Sequence, residues 1–244
     1  MKFLVCISNV PDTTTKIIFA DNKGLNSTGV QFIINPYDEI ALTRALEIKE
    51  ALGGTVTVIN VGGVGTEPNI RKALAIGADD AIRVNAEPTD AYFVAAQIAD
   101  VAKKNGYDVI LTGRESIDFN GAQVGGMIAE LLNLPSISVA TKLDITGTDA
   151  ILEREIDGGK EVVAVKVPFV ASAQKGMAEP RIPNMRGIMT ARTKPLLVLE
   201  PVAADMLSSS SSYELPPAKQ ACKMISPDNV AELVNLLHTE AKVI

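Results

Sequence analysis

The chain predicts an α/β fold, a doubly wound and mostly parallel sheet, and three observations carry that expectation. Apolar runs of strand length alternate with helical patterns from Phe3 to Val139. Those runs are continuously apolar, as strands covered on both faces are. A helical pattern separates successive runs, and parallel neighbours need such crossovers.

In chain order, Phe3–Ile7 reads as the first strand. Lys16–Ala20, the turn Asp21-Asn22-Lys23-Gly24 and Leu25–Thr28 predict a small inserted hairpin. Asn35-Pro36-Tyr37-Asp38 opens a helix over Pro36–Leu52: Asn35 is a capping type, Pro36 suits the first helical position, and Asp38 complements the positive end. Ligands of open α/β sheets bind beside such helix starts, so a simple cap and a ligand contact are both open to these residues. Strand Thr55–Val61, helix Pro68–Ile76, strand Ala81–Val84, helix Tyr92–Lys104, strand Val109–Thr112, helix Gln123–Leu132 and strand Ser136–Val139 continue the alternation.

The pattern then changes. Val163, Val165 and Val167 alternate with Ala164 and Lys166 after Asp157-Gly158-Gly159, which predicts a hairpin turning on its glycines. Gln174–Arg192 has no strand period and mixes Met177, Met185 and Met189 with Lys175, Arg181, Arg186 and Arg192. Flexible methionines among cations suit a docking surface. Beyond Pro201, Ser208–Ser212 and Pro216-Pro217 read as a linker to a helix over about Pro227–Lys242. Its stripe of Val230, Leu233, Val234, Leu236 and Leu237 must be covered, either by its own domain or by a partner subunit. Residues 1–200 thus form the main domain and residues 201–244 an arm.

Composition bounds the function. With 244 residues, 47% of them hydrophobic, and no apolar run near ~20 residues, no membrane span is expected. The net charge of −6 argues against a nucleic-acid partner. Cys6 and Cys222 are too few for a disulfide framework, and Met1-Lys2 leads straight into a strand rather than a signal peptide, so a cytoplasmic protein is expected. His238 is the single histidine, on the terminal helix, which leaves no Ser-His-Asp triad or histidine metal site and points away from an independent enzyme.

Two loops suit a ligand. Val61-Gly62-Gly63-Val64-Gly65-Thr66-Glu67-Pro68 joins a strand to a helix but lacks both the full dinucleotide fingerprint and a Walker ending, and by itself reads as a tight turn. Gly113-Arg114-Glu115-Ser116-Ile117-Asp118-Phe119-Asn120-Gly121-Ala122-Gln123-Val124-Gly125 is longer and more polar than an ordinary βα connection of about 2–6 residues. Ser116, Asn120 and the amides near Gln123 and Val124 are placed to hold phosphate and ribose oxygens at a helix N-terminus.

The hairpin Glu153–Gly159 (EREIDGG), then Glu179-Pro180-Arg181 and Ile188-Met189-Thr190-Ala191-Arg192, occur in this order at spacings that resemble the beta (small) subunit of electron-transfer flavoprotein. The resemblance runs from about Lys2 to the last helix. It implies a Rossmann-like adenine nucleotide-binding domain that binds AMP through Cys6, Asn35, Pro36, Tyr37, Asp38, Val61 and Gly113 to Val124. It implies an FAD held mainly by an alpha subunit, with Tyr37 as the aromatic wall and the terminal arm reaching across that subunit. Electrons would arrive from acyl-CoA and related flavin dehydrogenases and leave to a quinone-linked oxidoreductase, the redox chemistry being the cofactor's. Docking would fall on Gln174–Arg192, with Met185 as the apolar anchor beside Arg181, Arg186, Ile188 and Met189, and Glu155 would pair with a cation on a mobile neighbouring domain. Phe119 and Asn120 stand where relatives often carry acids, and Val61 and Gly63 replace the commoner Cys or Met and Pro. A second FAD in the AMP pocket, as in electron-bifurcating relatives, is the alternative, and a stand-alone nucleotide sensor or an adenylate-transferring enzyme are the other classes. The Leu152–Leu199 block is superfluous in a sensor, and Ser8-Asn9-Val10-Pro11-Asp12 is not the pyrophosphate loop of a transferase.

Overall fold

The computed structural model describes residues 1–20, 24–219 and 221–244. In chain order the strands and helices are β1 (Lys2–Cys6), β2 (Asn9–Pro11), β3 (Phe32–Ile34), α1 (Pro36–Leu52), β4 (Thr55–Val61), α2 (Glu67–Ile76), β5 (Asp80–Val84), α3 (Ala91–Asn105), β6 (Val109–Gly113), α4 (Val124–Leu132), β7 (Ser136–Thr146), β8 (Asp149–Ile156), β9 (Gly159–Lys166), β10 (Phe169–Ala173), α5 (Met185–Ala191), β11 (Leu196–Leu199) and α6 (Val230–Thr239). Among the described residues, nine strands form one sheet in the order β11-β5-β4-β1-β6-β10-β7-β8-β9, parallel from β11 to β7 and antiparallel beyond.

Both faces of the sheet are covered, as the continuously apolar strands require. One buried cluster joins the α1 and α2 faces to Phe3, Val5, Val109, Leu111 and Phe169. The other joins α3 and α4 to Leu4, Ile59, Ile82, Ile110 and Val170. Successive residues of β1, β6 and β10 therefore enter opposite cores, and the expected doubly wound architecture holds. The winding reverses between β1 and β6, which pair directly although three helices separate them in sequence. That boundary is the topological switch point.

The arms of the early insertion meet antiparallel at the Phe19–Leu25 bridge, with Ala20 N donating to Gly24 O and Asn26 N to Ile18 O, and its turn residues 21–23 lie outside the described residues. Strands β2 and β3 pair on either side of it, and their three residues each leave no readable period. The strand expected to end at Val139 runs to Thr146, because after a bulge between Ala140 and Lys142 it becomes the inner strand of an antiparallel unit with one wet face. Its polar residues concealed it. The hairpin itself is as expected, with Gly158 at φ 84 supplying the left-handed turn.

Residues beyond Pro201 run over α3 before reaching α6. The Gln97 amide exchanges hydrogen bonds with Val202 N and O, at 2.8 and 2.9 Å, and the Asp90 carboxylate accepts the amides of Leu207 and Ser208. The serine run expected as free linker is thus pinned where it begins. Helix α6 is shorter than expected and buries no residue. Among the described residues, no helix is long and apolar enough to cross a membrane.

Candidate functional site

The mouth of the switch point is organised by two side chains at the start of α1. Asp38 is 3% exposed, and its two carboxylate oxygens accept the amides of Ser8, just past β1, and Gly113, at the end of β6, at 2.7 and 2.8 Å. One carboxylate therefore spans the two strands at which the winding reverses. Burial, opposed by the hydrogen bonds from Ser8, Asn35 and Gly113, pushes its pKa up to about 7. Gly113 is required beside it, since a Cβ there would collide with the Asp38 carboxylate and stand 2.7 Å from Tyr37 Cβ.

Asn35 does not cap α1 with its side chain as its residue type suggested. Its Nδ2 donates to Glu115 O at 2.8 Å and its Oδ1 accepts Ile117 N at 3.3 Å, so the side chain holds the loop after β6 against the helix start. Ser8 O completes the junction by accepting Asn35 N. Arg114 lies 5.4 Å from the Tyr37 ring centroid and pairs with Glu115 at 3.0 Å.

The outer part of the loop is more open. Ser116 Oγ donates to Asp118, Asn120 and Ala122 adopt φ 50 and φ 52, and Phe119, Asn120 and Gln123 are exposed. The loop ends at α4, whose first turn has no side-chain cap, so its leading amides face outward without an intrahelical acceptor. Gly125 brings that turn down onto β6, where an added Cβ would lie 3.0 Å from Thr112 Oγ1.

Two buried polar groups outside the expected site residues lie near the carboxyl ends of β6 and β4, on opposite faces of the sheet. Thr112 Oγ1 and Asn60 Oδ1 lack hydrogen-bond partners, although Asn60 Nδ2 donates to Ile7 O at 2.8 Å. Thr112 is the one polar side chain of β6, a signal present in the sequence, whereas β4 carries Thr55 and Thr57 besides Asn60. Arg83 was passed over as well: buried, it donates to Gly62 O at 3.0 Å and pairs with Glu67 at 3.2 Å, fixing the glycine turn to α2. Cys6 and Val61 are buried at the ends of β1 and β4, and burial, then the neighbouring Asp38, drive the Cys6 thiol far above its ordinary range. The fold thus brings Cys6, Asn35–Asp38, Val61 and Gly113–Val124 to one edge. The arrangement offers outward amides, hydroxyls and carbonyls to a polyoxygenated ligand, and no activated nucleophile.

The residues read as a docking set do not form one cluster. Gln174–Arg192 is not wholly irregular: Met185, Arg186, Ile188 and Met189 lie on α5, with Met185 74% and Met189 70% exposed. Met177 is buried and belongs to the core. Arg181 forms a forked pair with Glu50 of α1 at 2.6 and 2.8 Å, which holds the Glu50 carboxyl below its usual range. Glu155 sits on the exposed hairpin opposite Lys160, while Glu153 lies 3.6 Å from Lys142. The hairpin bounds a cavity of about 520 Å³ with Arg44 and Lys175, and a groove of about 580 Å³ runs between α2 and α5. Both lie away from the switch-point mouth.

Comparisons with known proteins agree with this geometry. Residues 24–204 match the family model described as electron transfer flavoprotein domain. The chain is similar to proteins named electron transfer flavoprotein subunit beta from Bacillus subtilis, 38% identical with all of both chains covered, and from Syntrophomonas wolfei, 38% identical over 91% of this chain and 88% of that one. The human protein of the same name is 34% identical over 91% of each chain.

Proposed function

We propose a function for this chain from the premise that it belongs to the electron transfer flavoprotein family, among its beta subunits. In this reading it is the small subunit of a cytoplasmic heterodimer and carries no independent catalysis. The heterodimer takes electrons from acyl-CoA and related flavin dehydrogenases and delivers them to a quinone-linked oxidoreductase. FAD, held mainly by the alpha subunit, supplies the redox chemistry when bound. Residues 1–200 hold a structural AMP and present the docking face, and residues 201–244 fold onto the alpha subunit.

The observation that carries the nucleotide assignment is the buried, unpartnered Thr112 Oγ1 beside the first turn of α4, at the mouth that Asp38 and Asn35 bridge. Native interiors rarely leave such a group unsatisfied, and a ligand with hydroxyl and phosphate oxygens would supply a partner. AMP suits the donor set. The uncapped first turn of α4 offers amides to a phosphate, with Ser116, Asn120 and Gln123 available around it. Cys6 and Val61 give an apolar floor. Tyr37, under the Arg114 guanidinium, is the aromatic side chain available to a neighbouring flavin.

Co-expression with an alpha subunit tests this directly. The purified heterodimer should be yellow and release FAD and AMP in equal amounts, whereas this chain alone should hold no stoichiometric FAD. Replacing Asn120 and Gln123 with alanine should lower AMP content and weaken assembly, each lost ligand hydrogen bond costing about 1–3 kcal/mol. Release of two FAD and no AMP would assign the pocket to a second flavin. A yellow, stable monomer would overturn the heterodimer reading.

A further inference from the structure

We infer that Arg71 and Lys194 are positioning residues for the docking face, because they hold α5 to α2 through crossed caps that leave its apolar side chains free. The inference rests on the reading of α5 as the surface met by the donor flavoprotein. Arg71, on α2, donates from one guanidinium nitrogen to Ala191 O and Lys194 O at 2.8 and 2.7 Å, closing the end of α5. Lys194, three residues beyond α5, donates from Nζ to Leu74 O and Ala78 O at 2.9 and 2.5 Å, closing the end of α2. Each helix end thus receives its cation from the other segment. The last carbonyls of a helix carry partial negative charge and lack intrahelical donors, so both cations are well placed. Burial lowers the Lys194 pKa, in keeping with an ammonium withdrawn from water into this cage.

A seven-residue helix is too short to stand by itself and normally persists by burying an apolar stripe. Helix α5 is held differently. Asn184 accepts Gly187 N at 2.8 Å to close its start, and Gly187 lies so close to Ala75 O of α2 that a Cβ there would collide with it. Ala191 is buried, and Pro195 O accepts Ala81 N just before β11. Main-chain contact and two cations therefore fix the helix at both ends. Met185, Ile188 and Met189 are spared and remain on the surface. A face fixed before the encounter avoids the ordering cost that a mobile loop incurs on binding.

The test uses the heterodimer and measures donor-driven flavin reduction against donor concentration, with FAD content, melting temperature and hydrogen exchange of the α5 amides. Arg71→Met and Lys194→Met keep most of the aliphatic stem and remove the donors. Each should raise the half-saturating donor concentration by roughly tenfold, leave the limiting rate and FAD content unchanged, and speed α5 exchange. Arg71→Lys, which restores a cation, should recover part of the effect even if Arg71→Met folds poorly. Met189→Ala separates the two readings. If Met189→Ala raises half-saturation and none of the cap variants does, the positioning role is overturned and the docking face stands; if Met189→Ala also changes nothing, the docking reading beneath it fails.

Discussion

Asp38 is a carboxylate placed where the fold gains most from its geometry and least from its charge. It joins β1 to β6 through two amides, yet it is buried and has no cation among the partners that hold it. Its pKa rises from 3.8 in the unfolded chain to about 7, so the native state binds the proton more tightly. The stabilisation linked to that proton is full below about pH 4 and is lost as pH rises through 7. Asp38→Asn removes the titration but turns an amide hydrogen toward one of the two N–H donors, at a fixed cost of about 1–3 kcal/mol. Unfolding curves from pH 4 to 8 should show the variant gaining on the wild type by a few kcal/mol across that window. A constant difference would mean that Asp38 does not titrate there. Sequence alone presents Asp38 as a helix-start charge and Asn35 as a cap, because the partners of their side chains lie 30 to 82 positions away along the chain. Thr112 is more legible, as the one polar side chain in the apolar strand β6.

At the scale of elements, legibility followed burial except at β10, which is buried throughout but is not foreseen because Ala171, Ser172 and Ala173 make no run of large apolar residues. Strands covered on both faces announce themselves as apolar runs, and β1, β4, β5 and β6 were all foreseen on that basis. The wet half of β7, the three-residue strands β2 and β3, and the seven-residue α5 offer too short or too mixed a pattern. Helix α5 also carries Gly187 in its interior, a residue that lowers helix propensity and is tolerated here for its close approach to α2. Its exposed methionines give a prediction that discriminates surface from core. Met185→Ala should change stability by no more than about 0.5 kcal/mol, as a surface substitution does. Donor docking should weaken by more than about 1 kcal/mol if Met185 is an interfacial anchor. Donor-titrated flavin reduction and a melting curve on the same sample decide it. A large fall in Tm with normal docking would place Met185 in the core.

For the molecule as a whole, the arm is where composition and contact part company. Its stripe was readable as helix, but what covers the stripe was not, since periodicity specifies a face and not its neighbour. Among the described residues α6 buries nothing, while residues 202–208 are tied to α3. Removing residues 214–244 should therefore leave the folded domain intact, with thermal unfolding within about 1 kcal/mol of the full chain, as expected when only unburied structure is lost. Heterodimer formation should be lost or severely weakened when measured by sedimentation with the alpha subunit. A truncated chain that still assembles fully would place the subunit contact elsewhere.

The position of β10 also orders events in time. It fills the gap between β6 and β7 although residues 114–168 separate it from β6 in the chain. During synthesis at about 5–20 residues per second, several seconds pass in which the Val109–Leu111 segment has left the ribosome with no strand on the side away from β1. An apolar edge left unpaired is a template for other chains. Nascent chains arrested after Lys166 should accordingly aggregate or recruit holding chaperones, although most of the helices and seven of the final sheet's nine strands have already been made, whereas chains arrested after Leu199 should remain dispersed. The last strands thus act as the closure of a sheet whose interior is left open while the rest is being written.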